Sequence, residues 1–276
     1  MTYKTLLVHI DDSRRSDARV ALSLDLAQRW DAHLIGLYVV CQDLFRPVFQ
    51  QDGSLPLARL EALQAERRQK AEESFLTAAG RAGRSAEWRA PPGRALDVAM
   101  LHARHADLLV LGQEDPNDPA AFVEPHFVGD LVLGAGRPAL VIPYAGEVRT
   151  IGENVLVAWD GSREAARAAA DALPLLQHAR HVGIEIVRRH AQHAQAPEGI
   201  DVAAWLDAHG VRASFSTTPH HLGIGAGATL LNRISDLHAD LLVMGAYGHA
   251  RARERVFGGV TRTMLESMTT PVLMAH

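Results

Sequence analysis

Short apolar runs alternate with longer amphipathic segments along the chain. The first run, residues 6–10, ends in two aspartates and a serine, a residue type that caps helices. Residues 16–31 then place Val20, Leu24 and Ala27 on one helical face. Apolar runs without alternating polar residues are typical of strands that are buried on both faces. The pattern therefore predicts a buried strand followed by a helix.

The same alternation continues through the first half of the chain. The remaining predicted elements are strands at 34–40, 86–89, 108–112 and 139–143, and helices at 57–80, at 95–105 and in a segment ending near 136. Strands and helices that alternate in this order form a mainly parallel sheet with helices on both faces. We therefore assign the α/β fold class.

The second half of the chain repeats the first. Residues 105–112 (HADLLVLG) return as residues 238–245 (HADLLVMG), with one mismatch in eight positions. Asp11, after the first strand, returns as Asp160. The repeat predicts two tandem open sheets of five strands each, in a domain at 1–146 and a domain at 152–276.

Composition narrows the classes of function. A net charge of −4 provides no basic field for nucleic acid or an acidic membrane. No uninterrupted apolar run reaches the roughly 18 residues of a membrane-spanning helix. The single cysteine, Cys41, excludes an internal disulfide framework. Since the N-terminus lacks the layout of a signal peptide, we expect a soluble, cytoplasmic protein.

Glycines cluster around the last two elements of the chain. Gly245 and Gly248 follow an apolar run, and Gly258 and Gly259 precede a helical pattern. Glycine allows the main chain to approach a ligand closely, and the free N–H groups at a helix start favour a phosphate. The alternative is that both loops need glycine only to turn.

The spacing Gly245-x2-Gly248-x9-Gly258-Gly259 resembles the nucleotide loop of the universal stress protein family, Gly-x2-Gly-x9-Gly-(Ser/Thr). The similarity continues through residues 260–261 and the closing Pro-Val strand. The resemblance implies a tandem two-domain member with a Rossmann-like fold of the adenine nucleotide alpha hydrolase type. It also implies binding of ATP or AMP, with or without magnesium, in a stress response that acts by regulation rather than catalysis. Gly259 departs from the pattern, because it lacks the hydroxyl that serine or threonine would donate to a phosphate.

The resemblance also implies which residues contact the nucleotide. Asp160 would contact the nucleoside, although an aspartate here could instead cap the helix that begins near Ser162. The predicted binding residues are Ala158, Asp160, Val187, Met244, Gly245, Gly248, Gly258, Gly259, Val260 and Thr261. We predict no catalytic residue and no metal ligand.

The first half lacks most of this loop. At the positions of the last three loop glycines it has Asp115, Pro125 and His126. Proline has no N–H to donate, and an aspartate repels a phosphate. We therefore expect the first half to be a structural partner of the second. The family resemblance also implies that the closing strands near 139–143 and 272–275 pair across the halves. A homodimer is also possible.

Two other classes of function remain open. One is a nucleotide-free stress adaptor, in which the loop at 41–56 meets a protein partner. The other is a slow ATP hydrolase. Arg251, Arg253 and Arg255 could close over phosphates, or they could be ordinary solvated charges.

Two weaker motifs point elsewhere. Gly223, Gly225 and Gly227 suggest a dinucleotide turn, but the third glycine is misplaced. The histidine pairs 102/105 and 220/221 are not completed by cysteine or carboxylate ligands into a recognisable metal site.

Overall fold

The computed structural model describes residues 2–41, 57–188, 198–219, 225–248 and 259–276. The chain divides into two compact units. The N-terminal unit is Tyr3–Ala135, and the C-terminal unit is Gly136–His276 together with the first two residues. None of the helices in these described ranges has the length and apolar content needed to cross a membrane.

The N-terminal unit is built around a parallel sheet. Its strands are β1 (Thr5–Ile10), β2 (His33–Tyr38), β3 (Ala86–Arg89) and β4 (Leu108–Gly112), in the order β3-β2-β1-β4. Its helices are α1 (Ser16–Trp30), α2 (Leu57–Arg81), α3 (Ala95–Ala103) and α4 (Phe127–Gly134), with a short 3-10 turn at Pro119–Ala121. The central strands β1 and β4 are buried along almost their whole length, as their apolar runs predicted.

The C-terminal unit repeats this arrangement. Its strands are β5 (Ala139–Ile142), β6 (Asn154–Ala158), β7 (His181–Arg188), β8 (Ala213–Pro219), β9 (Leu241–Gly245) and β10 (Val272–Ala275), in the order β5-β10-β9-β6-β7-β8. Its helices are α5 (Arg163–Asp171), α6 (Leu173–Leu176), α7 (Glu198–Ala208), α8 (Ala226–Asp236) and α9 (Gly259–Ser267). The predicted α/β class with mainly parallel strands is confirmed.

One strand of the first repeat belongs to the second compact unit. β5 pairs with β10 in antiparallel register, with Leu140 opposite Leu273, and both residues are fully buried. The predicted pairing of the closing strands is thus confirmed. The strands do not divide five and five, however, because four lie in the N-terminal unit and six in the C-terminal unit. An unpaired β10 would expose a row of backbone hydrogen-bonding groups, and pairing with β5 covers that edge.

The repeated His-Ala-Asp motif has a structural role in both units. Asp240 accepts hydrogen bonds from the backbone N–H groups of residues 152, 153 and 154 at 2.9–3.1 Å. Asp107 accepts two, from Lys4 and Thr5, at 2.8 and 3.0 Å. Each aspartate therefore ties the start of the repeat's first strand to the strand that follows the motif.

We expect Asp240→Ala to lower the free energy of unfolding by about 1–3 kcal/mol, because part-buried N–H groups lose their acceptor. Urea denaturation of the full chain measures this change. The control is Asp236→Ala, since that carboxylate is 65% exposed and lies 3.8 Å from Arg233. Its loss should stay within about 0.5 kcal/mol, and equal losses in both variants would contradict the assigned role.

Candidate functional site

Three strand ends of the C-terminal unit meet at one edge of the sheet. β6 lies between β9 and β7, and all three run parallel. In an open parallel sheet, ligands bind beyond the carboxyl ends of the strands. Ala158 ends β6, Met244 and Gly245 end β9, and Val187 lies half-buried near the end of β7. The structure thus places these four predicted residues on neighbouring strands at the expected edge.

Asp160 lies in the exposed turn between β6 and α5. Its Oδ1 accepts hydrogen bonds from the N–H of Ser162 at 3.0 Å and from the Ser162 hydroxyl at 2.5 Å. The Ser162 hydroxyl oxygen in turn accepts from the N–H of Ala165 at 3.1 Å. Ser162 is therefore the helix cap, and Asp160 orients it while its own side chain remains at the surface.

Gly245 and Gly248 let the turn after β9 pack against the start of α5. A Cβ on Gly245 would lie 2.5 Å from the backbone nitrogen of Ala165 and 2.6 Å from the carbonyl carbon of Glu164. A Cβ on Gly248 would lie 3.0 Å from Oε2 of Glu164 and 3.3 Å from the Ser162 hydroxyl oxygen. Close packing thus requires glycine at 245, whereas at 248 a Cβ would meet only side-chain atoms. Glu164 was not predicted from the sequence.

The start of α9 is joined to the same turn. Thr261 is buried, and its hydroxyl oxygen accepts from the N–H of Tyr247 at 3.2 Å. Gly259, the first residue of α9, is exposed, and a Cβ there would meet nothing within 4 Å. Val260 is half-buried beside it. The glycine at 259 therefore reflects no steric demand from the described residues.

Not all residues singled out in the sequence fall within the described ranges. Gly258 and the arginines at 251, 253 and 255 lie outside the described residues, as do the loop at 42–56, Gly223 and the histidine pair 220/221.

The corresponding edge of the N-terminal unit is filled by an arginine that sequence reasoning missed. The Arg19 side chain is only 3% exposed, and its Nη2 lies 2.9 Å from Oδ2 of Asp11. Its Nε donates to the carbonyl oxygen of His9 at 2.7 Å. A Cβ on Gly112, which matches Gly245 of the second repeat, would lie 2.0 Å from Nη1 of Arg19. The guanidinium therefore takes up the space next to the end of β4.

The ion pair keeps Asp11 charged inside the unit. Burial would raise the pKa of this carboxyl, but Arg19, His9 and the hydrogen bonds from Ser13 outweigh burial and hold the pKa below its usual value. Burial is the main cause that lowers the pKa of His9. The residue that matches Asp160 is thus committed to an internal contact.

A cavity of about 910 Å³ also opens at the strand ends of the N-terminal unit. Its wall includes Tyr38, Cys41, Arg67 and Gly93. The Tyr38 hydroxyl donates to Asp12 at 2.9 Å, and burial together with this carboxylate raises the pKa of Tyr38. This cavity could not be predicted from the sequence, because its wall comes from segments far apart along the chain.

The weaker sequence motifs have structural roles where they are described. Nδ1 of His102 contacts Arg89 at 3.0 Å, and Nδ1 of His105 contacts the carbonyl oxygen of Leu101 at 3.1 Å. The described ranges contain no group of three or more side chains that could hold a metal ion. A Cβ on Gly227 would lie 2.7 Å from Thr263, so this glycine allows α8 and α9 to pack closely.

Comparison with known proteins gives one family and several similar folds. The model of the universal stress protein family matches residues 2–143 and again residues 152–276. No curated protein is significantly similar in sequence to the chain.

Among solved structures, a universal stress protein from Archaeoglobus fulgidus DSM 4304 is 14% identical, with 98% of this chain and 97% of that chain covered and a TM-score of 0.74. A functionally unknown protein from Pseudomonas aeruginosa PAO1 is 15% identical, with 99% and 92% covered and a TM-score of 0.59. A universal stress protein solved in complex with cAMP is 18% identical over 45% of this chain and 97% of that chain, with a TM-score of 0.35. The first two similarities show the fold alone.

Gly245→Ala should lower the free energy of unfolding by about 1–3 kcal/mol, because the added Cβ meets backbone atoms of α5 that cannot move aside freely. Gly259→Ala should change it by less than about 0.5 kcal/mol, because the position is exposed and open. Chemical denaturation of both variants checks the pair. Equal tolerance of alanine at both positions would show that the turn does not pack against α5 as described.

Asp11→Asn should cost about 3–5 kcal/mol of unfolding free energy at pH 7, because it leaves the buried Arg19 guanidinium without its counter-charge. The folded pKa of Asp11 lies below its unfolded value, so the stabilisation is present above about pH 4 and is lost as pH falls through the folded pKa. The wild type and the variant should therefore converge in stability in acid.

Urea denaturation at several pH values between 7 and 2.5 measures this convergence. Asp25→Asn, at an exposed position of α1, serves as the control and should differ little from the wild type at any pH. A gap between the wild type and Asp11→Asn that stays constant down to the lowest pH would exclude a charged Asp11 as its cause.

Proposed function

The chain belongs to the universal stress protein family as a tandem two-domain member, and we propose that its second domain, residues 152–276, binds ATP or AMP. Binding serves a stress response by changing shape or partner choice, without turnover. The ten residues named from the sequence form the proposed site, with Asp160 directed to the nucleoside and Gly248, Gly258 and Gly259 to the phosphates.

One observation carries this proposal: three segments converge at the strand ends of the C-terminal unit. The turn after β9 contacts the turn after β6, where a Cβ on Gly248 would lie 3.3 Å from the Ser162 hydroxyl oxygen. The same turn reaches α9 through the hydrogen bond from the Tyr247 N–H to Thr261. A ligand at this edge can therefore touch Asp160 and the start of α9 at once.

Groups suited to the phosphates and to the nucleoside of a nucleotide both lie at this edge of the sheet. The first N–H groups of α9 have no acceptor within the helix, and such groups bind phosphates. The exposed carboxylate of Asp160 can accept hydrogen bonds from ribose hydroxyls or an amino group. The backbone of Val187 offers further polar atoms for the base.

The nucleotide-free adaptor is the second candidate. It is favoured by Gly259, which supplies no hydroxyl to a phosphate, and by Arg19, which fills the corresponding edge of the N-terminal unit. The adaptor and the nucleotide-binding protein differ in whether the purified chain takes up an adenine compound.

Native mass spectrometry of freshly purified protein, followed by calorimetric titration with ATP and AMP, tests the proposal. Asp160→Ala should weaken binding by about 10- to 100-fold, the value of one or two hydrogen bonds to a charged group. Gly258→Val should abolish binding. Asp201→Ala, on an exposed position of α7 in the same unit, should bind as the wild type does.

An empty protein that gives no heat at millimolar ATP or AMP would refute nucleotide binding and leave the adaptor. Sustained phosphate release that depends on Asp160 would instead favour a slow ATP hydrolase.

A further inference from the structure

A carboxylate lies against the proposed phosphate loop. Glu164, in the first turn of α5, is 3% exposed. A Cβ on Gly245 would lie 2.8 Å from the Cβ of Glu164, and a Cβ on Gly248 would lie 3.0 Å from its Oε2. The side chain therefore runs along the turn from one glycine to the other and brings its charge to Gly248.

The charge of Glu164 is only partly offset. Its Oε1 accepts a hydrogen bond from Nε of Arg163, whose own side chain is 83% exposed. Water screens an exposed guanidinium, so its field at the loop is weak. Burial raises the pKa of Glu164, but the hydrogen bond from Arg163 and a smaller effect of His276 leave the pKa below its usual value. The side chain is therefore ionised at neutral pH.

We propose that Glu164 determines the specificity of the C-terminal site, and makes it favour adenosine and AMP over ATP. This inference rests on the proposed adenine nucleotide site. Like charges a few ångströms apart repel, and the repulsion grows with each phosphate that reaches Gly248. Adenosine brings no negative charge to the loop, AMP brings one phosphate and ATP brings three.

The described residues at the two ends of the loop, 245–248 and 259–261, offer little to offset this repulsion. Gly259 has no hydroxyl, so the start of α9 contributes only backbone N–H groups to a phosphate. Specificity here is a difference between affinities, and a buried like charge is an effective way to reject a ligand. We expect the charge of Glu164 to leave the affinity for the nucleoside unchanged. Asp160, which would contact the nucleoside, lies in the exposed turn before α5 and accepts a hydrogen bond from the Ser162 hydroxyl.

Calorimetric titration of adenosine, AMP and ATP, each with and without magnesium, into the wild type and Glu164→Gln tests the inference. In the wild type, adenosine and AMP should bind at least as tightly as ATP. Glu164→Gln keeps the shape of the side chain and removes its charge. It should tighten ATP binding by about tenfold or more and leave adenosine binding within about twofold.

Glu266→Gln is the matched control, because it removes the same charge from an exposed side chain on α9 that pairs with Arg262. It should leave all three affinities unchanged. Circular dichroism and the adenosine affinity report whether each variant is folded. Glu164→Thr, which is shorter and neutral, should tighten ATP binding in the same direction if the glutamine variant does not fold.

The failures of the two proposals are distinguishable. If no adenine compound binds to the wild type or to either Glu164 variant, the proposed nucleotide site is wrong, and the inference fails with it. If adenosine or AMP binds but ATP binds more tightly to the wild type, only the specificity role of Glu164 is overturned. A magnesium-dependent loss of ATP binding in Glu164→Gln would also overturn it, because the carboxylate would then hold the cation instead of repelling phosphate.

Discussion

The end of β9 and the start of α5 approach each other so closely that no side chain fits between their backbones. Gly245 meets this constraint, since any Cβ there would overlap the backbone at Glu164 and Ala165. The contact sets the position of the turn after β9, and through the N–H of Tyr247 and the hydroxyl of Thr261 it also sets the start of α9. Gly248 and the start of α9, two of the groups proposed to meet a ligand, are positioned by this contact.

The rigid support for the contact comes from the middle of the sheet. β9 and β10 are buried along nearly their whole length, and β10 is held on its other side by β5. A strand that is paired on both sides cannot shift without breaking two ladders of hydrogen bonds. The C-terminal unit thus contains β5, a strand of the first repeat. Its pairing with β10 stabilises the sheet beside the proposed site.

The helices and strands could be predicted from the sequence, whereas the positions of the buried charged side chains could not. Strands such as β4 and β9 could be read because a doubly buried strand needs an unbroken apolar run. The pairing of β5 with β10 was predicted from the sequence. That β5 belongs to the C-terminal unit was not, because the division into compact units depends on all contacts of the chain together. The burial of Arg19 was not predicted. It is next to Val20 on α1, and the local sequence pattern does not distinguish a buried arginine from a solvated one.

Glu164 was missed for a related reason. An acidic residue in the first turn of a helix is expected, because it interacts favourably with the N–H groups there and is usually exposed. Its burial follows only from the approach of β9, which brings Gly245 and Gly248 over it. The glycine spacing indicated a site, but it could not show that a carboxylate already lies in the volume the glycines leave free.

The two repeats therefore differ in charge more than in fold. In the N-terminal unit the charge next to the β4 glycine is an arginine, and a buried aspartate neutralises it. In the C-terminal unit the charge next to the β9 turn is a glutamate whose only described ion-pair partner, Arg163, is largely exposed to water. A charge without a buried partner acts more strongly on a nearby ligand than one that a buried counter-charge neutralises. The two repeats thus place charges of opposite sign beside the same turn, one neutralised by a buried partner and the other paired with a largely exposed one.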